Sequence, residues 1–154
     1  MAGGRESPDA YSKALALLAR REYSRRDLAR RLDARGLDAA AIESALDRLV
    51  EQGFQDDARF AGAFARTRAA AGYGPLRIRA ELLGDGIAED RIDAALESCE
   101  SNWPELACEQ ARRRFAGKNP ADPSTQRKLI GFLLRRGFSQ NDAYAALRAL
   151  GSGA

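Results

Sequence analysis

The sequence contains no histidine. That removes the side chain most often used as a general base near neutral pH and the commonest metal ligand. Cysteine is scarce as well, with only Cys99 and Cys108, too few soft ligands for a four-coordinate structural zinc site. A structural disulfide is not expected in a reducing compartment; two reduced, partly buried thiols are. There is no Walker-type loop, no nucleophile elbow and no helical metal motif. The glycine-rich run Gly72-Tyr73-Gly74-Pro75 lacks the spacing of a phosphate-binding loop and reads as a helix stop followed by a helix start. The adjacent acids Asp56 and Asp57 read as a helix N-cap, which the helix dipole favours. No catalytic residue, cofactor or metal site is therefore assigned, and the chain is not expected to be an enzyme. No apolar run is long enough to span a bilayer. Met1 to Pro8 is polar and has no apolar targeting core. A cytoplasmic protein without membrane contact is expected.

Aromatic residues are also few, at 7%, whereas 45% of the chain is apolar. Alanine, leucine and arginine dominate, and all three favour helix. The net charge of +3 hides a strong alternation. Arg20 to Arg35 holds seven arginines against Glu22, Asp27 and Asp33. Asp85 to Glu109 holds eight acids against one arginine, and Arg112 to Arg136 eight bases against Asp122 alone. Each run alone fits a solvated helix face. The alternation along the chain points to a strongly charged or polyanionic partner.

One pattern organises the chain. Leu28 and Leu32 are four apart, Gly36 and Leu37 follow, and Ile42 and Leu46 repeat the four-residue spacing. Fifty residues on, the pattern returns as Ile78, Leu82, Gly86, Ile87, Ile92 and Leu96, and Tyr23 maps onto Tyr73. It returns again as Leu129, Leu133, Gly137, Phe138, Ala143 and Leu147. A period of this size marks a repeated supersecondary unit. Apolar residues at i and i+4 form a stripe that a helix must bury. The glycine supplies the left-handed residue that ends the helix.

Read in order, the chain gives nine helices and no strand. Met1 to Glu6 is expected to be disordered. Ser7 and Pro8 start a helix that runs to about Glu22, with Tyr11, Ala14, Leu15 and Leu18 as its stripe. Ser24 with Asp27 resembles a capping box, Asp38 caps the third helix and Asp56 the fourth. Gly74 and Pro75 start the fifth, and the sixth runs from about Ala88 to Cys99. Trp103 and Pro104, Asp122 and Pro123, and Ser139 with Asp142 open the last three, which end near Leu150. The expected fold is all-α: three tandem three-helix repeats at 8–53, 56–100 and 103–150. Each is near the lower size limit for independent folding, so neighbours should support one another.

Four runs carry a family resemblance. They are Arg21 to Leu28, Asp56 to Ala61, Gly72 to Ile78 with Glu81 and Leu82, and Leu133 to Phe138. In this order and spacing, over roughly Tyr11 to Leu150, they resemble the bacterial RecX regulatory proteins. Leu76 departs from the pattern, standing where that family often carries a basic residue. The resemblance implies an elongated, curved arrangement of the repeats. It implies binding to the RecA filament on DNA and inhibition of the recombinase, ATPase and coprotease activities of RecA. A monomer is expected, with direct binding to single- or double-stranded DNA only weak.

With Leu28 and Leu32 inward, Arg26 and Arg30 point outward. Leu76 and Arg127 hold the matching outward position in the second and third repeats. Arg77 and Arg79 flank Leu76, and Arg112, Arg113, Arg135 and Arg136 enrich the third repeat. These ten residues are the candidate partner or DNA contacts. A solvated charge is the plain reading of each arginine. Packing against a neighbouring repeat is the plain reading of Leu76. The rival function is a helix-turn-helix DNA-binding protein. The last helices of the repeats argue against sequence reading, because they carry Glu43, Asp47 and Glu51, or Glu89, Asp90, Asp93 and Glu97. Acidic faces repel the phosphate backbone.

Overall fold

The computed structural model describes residues 8–152. The expectations for Met1 to Glu6 and for Ser7 lie outside them. Among the described residues there are nine α-helices and no strand. They are α1 (Pro8–Leu18), α2 (Arg25–Ala34), α3 (Ala39–Glu51), α4 (Asp57–Ala70), α5 (Pro75–Gly84), α6 (Glu89–Ser98), α7 (Trp103–Arg114), α8 (Pro123–Arg136) and α9 (Gln140–Gly151). Extensive helix packing is confined to triplets: α1 on α3, α4 on α6 and α7 on α9, each with the middle helix against it.

The expected caps form. The Ser24 Oγ accepts from Asp27 N at 3.0 Å, and the Ser139 Oγ from Asp142 N at 3.1 Å. Asp38 accepts from Ala41 N, and Asp122 from Thr125 N. Asp56 accepts from both Ala58 N and Arg59 N. The reciprocal half of a capping box at Ser24 is not used; the Asp27 carboxylate faces Arg31 one turn on, at 3.3 Å. α1 stops four residues earlier than the periodicity suggested. Arg20, Arg21 and Glu22 offer no apolar side chain to extend the stripe, and Tyr23 must turn inward, where it is buried.

The repeated glycine makes the same chain reversal three times. Gly36, Gly86 and Gly137 have φ of +78°, +77° and +97°. The residue after each donates its N–H back to the middle helix: Leu37 to Leu32 O, Ile87 to Leu82 O and Phe138 to Leu133 O. The glycines themselves bond to Asp33 O, Leu83 O and Leu134 O. This pair of bonds satisfies carbonyls that a helix end leaves open. It also folds Ile87 and Phe138 into the core, where they are buried.

Each triplet has its own apolar core. Leu28, Leu32, Ile42 and Leu46 lie in the first, Ile78, Leu82 and Ile92 in the second, and Leu129, Leu133 and Ala143 in the third. Leu96 and Leu147 are only half-buried, against expectation, and Ala95 and Ala146 take the enclosed positions beside them. α6 ends at Ser98, so Leu96 lies in its last turn at the edge of the core. Trp103, the one tryptophan of the sequence, packs against both the second and third cores. Both cysteines are free and half-buried.

Candidate partner-binding surface

The three middle helices stack head to tail. At the junction of the second and third repeats, Gly74 N donates to Arg136 O at 2.8 Å and Leu76 N to Gly137 O at 2.9 Å. The open N–H groups of the first turn of α5 are thus satisfied by the open carbonyls at the end of α8. The positive end of one helix dipole meets the negative end of the next. At the junction of the first and second repeats, Arg26 Nη1 donates to Gly84 O at 3.4 Å, so the start of α2 faces the end of α5. There Asp57 Oδ1 accepts from Arg25 N at 2.9 Å. Gln55, buried between them, donates to Tyr23 O at 3.1 Å and to Asp57 Oδ1 at 2.9 Å. Asp57 therefore does more than open α4: it caps a helix of the preceding repeat.

The second junction explains Gly72-Tyr73-Gly74-Pro75 further than a stop and a start. A Cβ on Gly74 would lie 2.5 Å from Gly137 O, and one on Gly137 2.3 Å from the Cβ of Arg77. The two backbones touch because neither position has a side chain. Beside this contact, the Tyr73 ring carries three guanidinium groups, Arg68 at 4.2 Å, Arg77 at 4.5 Å and Arg136 at 4.7 Å. Glu81 pairs with Arg68 through two hydrogen bonds and with Arg77 Nε at 3.0 Å. Arg77 also donates to Arg135 O, and Arg136 to Ala71 O, across the junction. Burial raises the affinity of the Glu81 carboxyl for a proton. The hydrogen bonds and charges of Arg68 and Arg77 outweigh it and hold the carboxyl below the ordinary glutamate range.

That direction has a consequence. A carboxyl whose folded pKa is depressed contributes stability above its unfolded pKa and loses it as pH falls through the folded value. The stability difference between the natural chain and Glu81→Gln should be full near neutrality and shrink through the acid range. Paired urea titrations at stepped pH measure it; a difference independent of pH would contradict the Glu81 assignment.

The ten candidate residues divide into two groups. Arg26, Arg77 and Arg136 are held at the junctions. Arg79 pairs with Asp93 of α6, and Arg113 with Glu109 one turn back at 3.2 Å. Arg30, Arg112, Arg127 and Arg135 are exposed and form no ion pair among the described residues. Leu76 is 55% exposed. Its backbone holds the junction while its side chain faces solvent. The structure brings Arg77 and Arg136 together on Tyr73, and adds Arg68 and Glu81, which sequence reasoning missed. Tyr73 lies at a helix junction, as its position in the repeat suggested. The i, i+4 spacing of Arg77 and Glu81 was the one visible signal for this cluster.

Comparison with known proteins follows the same division of the chain. Models of the first, second and third three-helix domains of RecX match residues 10–49, 56–96 and 104–147. A regulatory protein RecX of Xanthomonas axonopodis pv. citri is 49% identical over 136 residues, 88% of this chain and 84% of that one. The regulatory protein RecX of Stenotrophomonas maltophilia is 46% identical over 88% of this chain and 83% of its own. A crystal structure of a regulatory protein RecX superposes with a TM-score of 0.75 at 27% identity, covering 94% of this chain and 72% of that chain. RecX from Lactobacillus salivarius shares the fold, with a TM-score of 0.74 at 20% identity over 94% and 96% of the two chains. With all three domains matched in order and close to half of the residues shared along most of both chains, the protein belongs to the RecX family of regulatory proteins.

Proposed function

We propose that this protein binds the RecA–DNA filament and suppresses the recombinase, ATPase and coprotease activities of RecA. It would thereby modulate recombination, DNA repair and the SOS response. It catalyses nothing itself, needs no cofactor, and works as a cytoplasmic monomer. The observation that carries this reading is the head-to-tail stacking of three equivalent helices in a RecX-family chain. A helical polymer offers the same surface at regular intervals. Linked modules that present one helix three times can meet successive subunits, and linkage raises avidity without one large interface. In this reading the repeats 8–53, 56–100 and 103–150 are docking units on an elongated, curved body. Arg30, Arg112, Arg127 and Arg135 supply exposed positive charge for encounter. Arg26, Arg77, Arg79 and Arg136 act indirectly, by holding helices in place, while Arg113 pairs within its own helix.

The basic segments Arg112–Arg114 and Arg127–Lys128 favour a second activity, weak and salt-sensitive binding to bare DNA. The exposed acids Glu43, Asp47, Glu51, Glu89, Asp90, Asp93 and Glu97 weigh against base reading by α3 or α6.

The test is DNA-dependent ATP hydrolysis by RecA at rising concentrations of this protein. Inhibition near stoichiometry is expected. Combined reversal of Arg30, Arg127 and Arg135 to glutamate should weaken it, most at low salt, where exposed charges are least screened. The fold should survive, since exposed substitutions usually change stability little. Unimpaired hydrolysis at excess of the intact protein would overturn the reading.

A further inference from the structure

We propose that the outer edge of the α8–α5–α2 stack is one docking strip, apolar in the middle and basic at both ends. Its occupant is a protein surface with an apolar ridge bounded by acidic side chains. The proposal rests on the filament reading above and names the surface through which it works.

Leu76, Ala80 and Leu83 follow one another at i, i+4 and i+7 on α5, so they share a face. All three are exposed, Leu76 at 55% and Leu83 at 44%. Together they cover about 10 Å of helix. Leu134 is the counterpart of Leu83 in the third repeat and is 39% exposed. The stacking sets the last turn of α8, which carries Leu134, against the first turn of α5, which carries Leu76. The Leu76 N–H bonds to Gly137 O, so the last turn of α8 leads directly into the first turn of α5. At the far end, Arg26 reaches Gly84 O, one residue past Leu83, and exposed Arg30 follows one turn on. At the near end, Arg127 lies two turns before Leu134 on the same face.

The first repeat shows that the fold does not require leucine here. Its equivalents of Leu76, Ala80 and Leu83 are Arg26, Arg30 and Asp33, all exposed and all charged. Packing therefore does not dictate these leucines, and leaving them in water gains nothing. Three of the six large exposed apolar residues among the described residues fall on this line. An acidic border is the complement of exposed Arg127 and of exposed Arg30, whose charge Asp85 at the end of α5 offsets only in part, with no ion pair formed. A nucleic-acid backbone would match the arginines but offers no apolar surface to the leucines.

The test uses Leu76→Ser, Leu83→Ser and Leu134→Ser combined, with Tyr144→Ser, exposed on α9 and off the strip, as control. Binding to RecA assembled on single-stranded DNA should weaken about tenfold or more, the effect of losing a few central anchors. The circular dichroism spectrum and thermal midpoint should match those of the intact chain. Tyr144→Ser should bind as the intact chain does. Arg30→Glu with Arg127→Glu should weaken binding and flatten its salt dependence. If the intact chain binds filaments and the triple variant binds equally well, the strip is excluded and the filament reading stands. If the intact chain does not bind filaments, both fall. An equal loss of binding to bare single-stranded DNA would overturn the proposal in favour of a nucleic-acid surface. Loss of self-association in sedimentation velocity, with filament binding retained, would overturn it in favour of an interface between copies.

Discussion

Truncating Ile92 to alanine is expected to destabilise the protein by about 2–5 kcal/mol, the range for removing a fully enclosed aliphatic side chain. Ile92 is 0% exposed and shares its core with Ile78, Leu82 and Phe60. The effect should reach beyond the second repeat. In a stack of small units, stability is close to a sum of unit and neighbour-interface terms. The middle unit contributes to both interfaces, through Asp57 on one side and Gly74 on the other. Trp103 packs on the second and third cores, so its emission reports their shared boundary. Urea unfolding followed by Trp103 emission and by helical circular dichroism measures the loss. Leu96→Ala is the informative partner. Leu96 holds the same repeat position as buried Leu46 but is half-buried, and its truncation should cost clearly less. An unchanged midpoint for Ile92→Ala, or equal losses for the two variants, would refute the packing described.

The repeat was readable because its signals are local. A stripe at i and i+4, a terminal glycine and the apolar residue after it lie within ten residues of one another. Three copies in register exposed them without any knowledge of the third dimension. Caps were readable for the same reason, since Ser24, Asp38, Asp56, Asp122 and Ser139 bond within their own first turns. The junctions are another matter. The Ala71–Arg136 hydrogen bond joins residues 65 apart in sequence, and Arg26–Gly84 joins residues 58 apart. No periodicity reports such an approach. A helical wheel places Arg26 outward and Arg77 on the flank of Leu76, but it does not show that a neighbouring repeat stands opposite them. Arg26, Arg77 and Arg136 proved to be held by a neighbouring repeat for that reason, whereas Arg79 and Arg113 pair within their own. The exposed leucine line escaped notice for a related reason. Leu76 and Leu134 are distant in sequence, and the helix turns that carry them meet only where α8 abuts α5.

Gly137→Ala should be the most damaging of three glycine substitutions that separate backbone strain from close approach. At Gly36, φ is +78° and nothing lies within 4 Å of an added Cβ, so alanine meets strain alone. A left-handed non-glycine residue costs about 1–2 kcal/mol. At Gly74 the backbone is extended, with φ of −90°, but the Cβ would lie 2.5 Å from Gly137 O. Alanine there meets a clash alone, with a backbone carbonyl that cannot move aside without lengthening the Gly74–Arg136 and Leu76–Gly137 hydrogen bonds. Gly137 combines both faults, a φ of +97° and a Cβ placed 2.3 Å from that of Arg77. Overpacking typically adds about 1–3 kcal/mol to whatever strain is present. Gly36→Ala should therefore lower stability without disturbing Trp103. Gly74→Ala and Gly137→Ala should both shift Trp103 emission, because relief requires the second and third repeats to part. They should also weaken inhibition of RecA ATP hydrolysis at temperatures where every repeat remains helical, since the stack would lose its alignment. Equal thermal midpoints for Gly36→Ala and Gly137→Ala, with Trp103 emission unmoved in both, would show that the backbones do not meet at this junction.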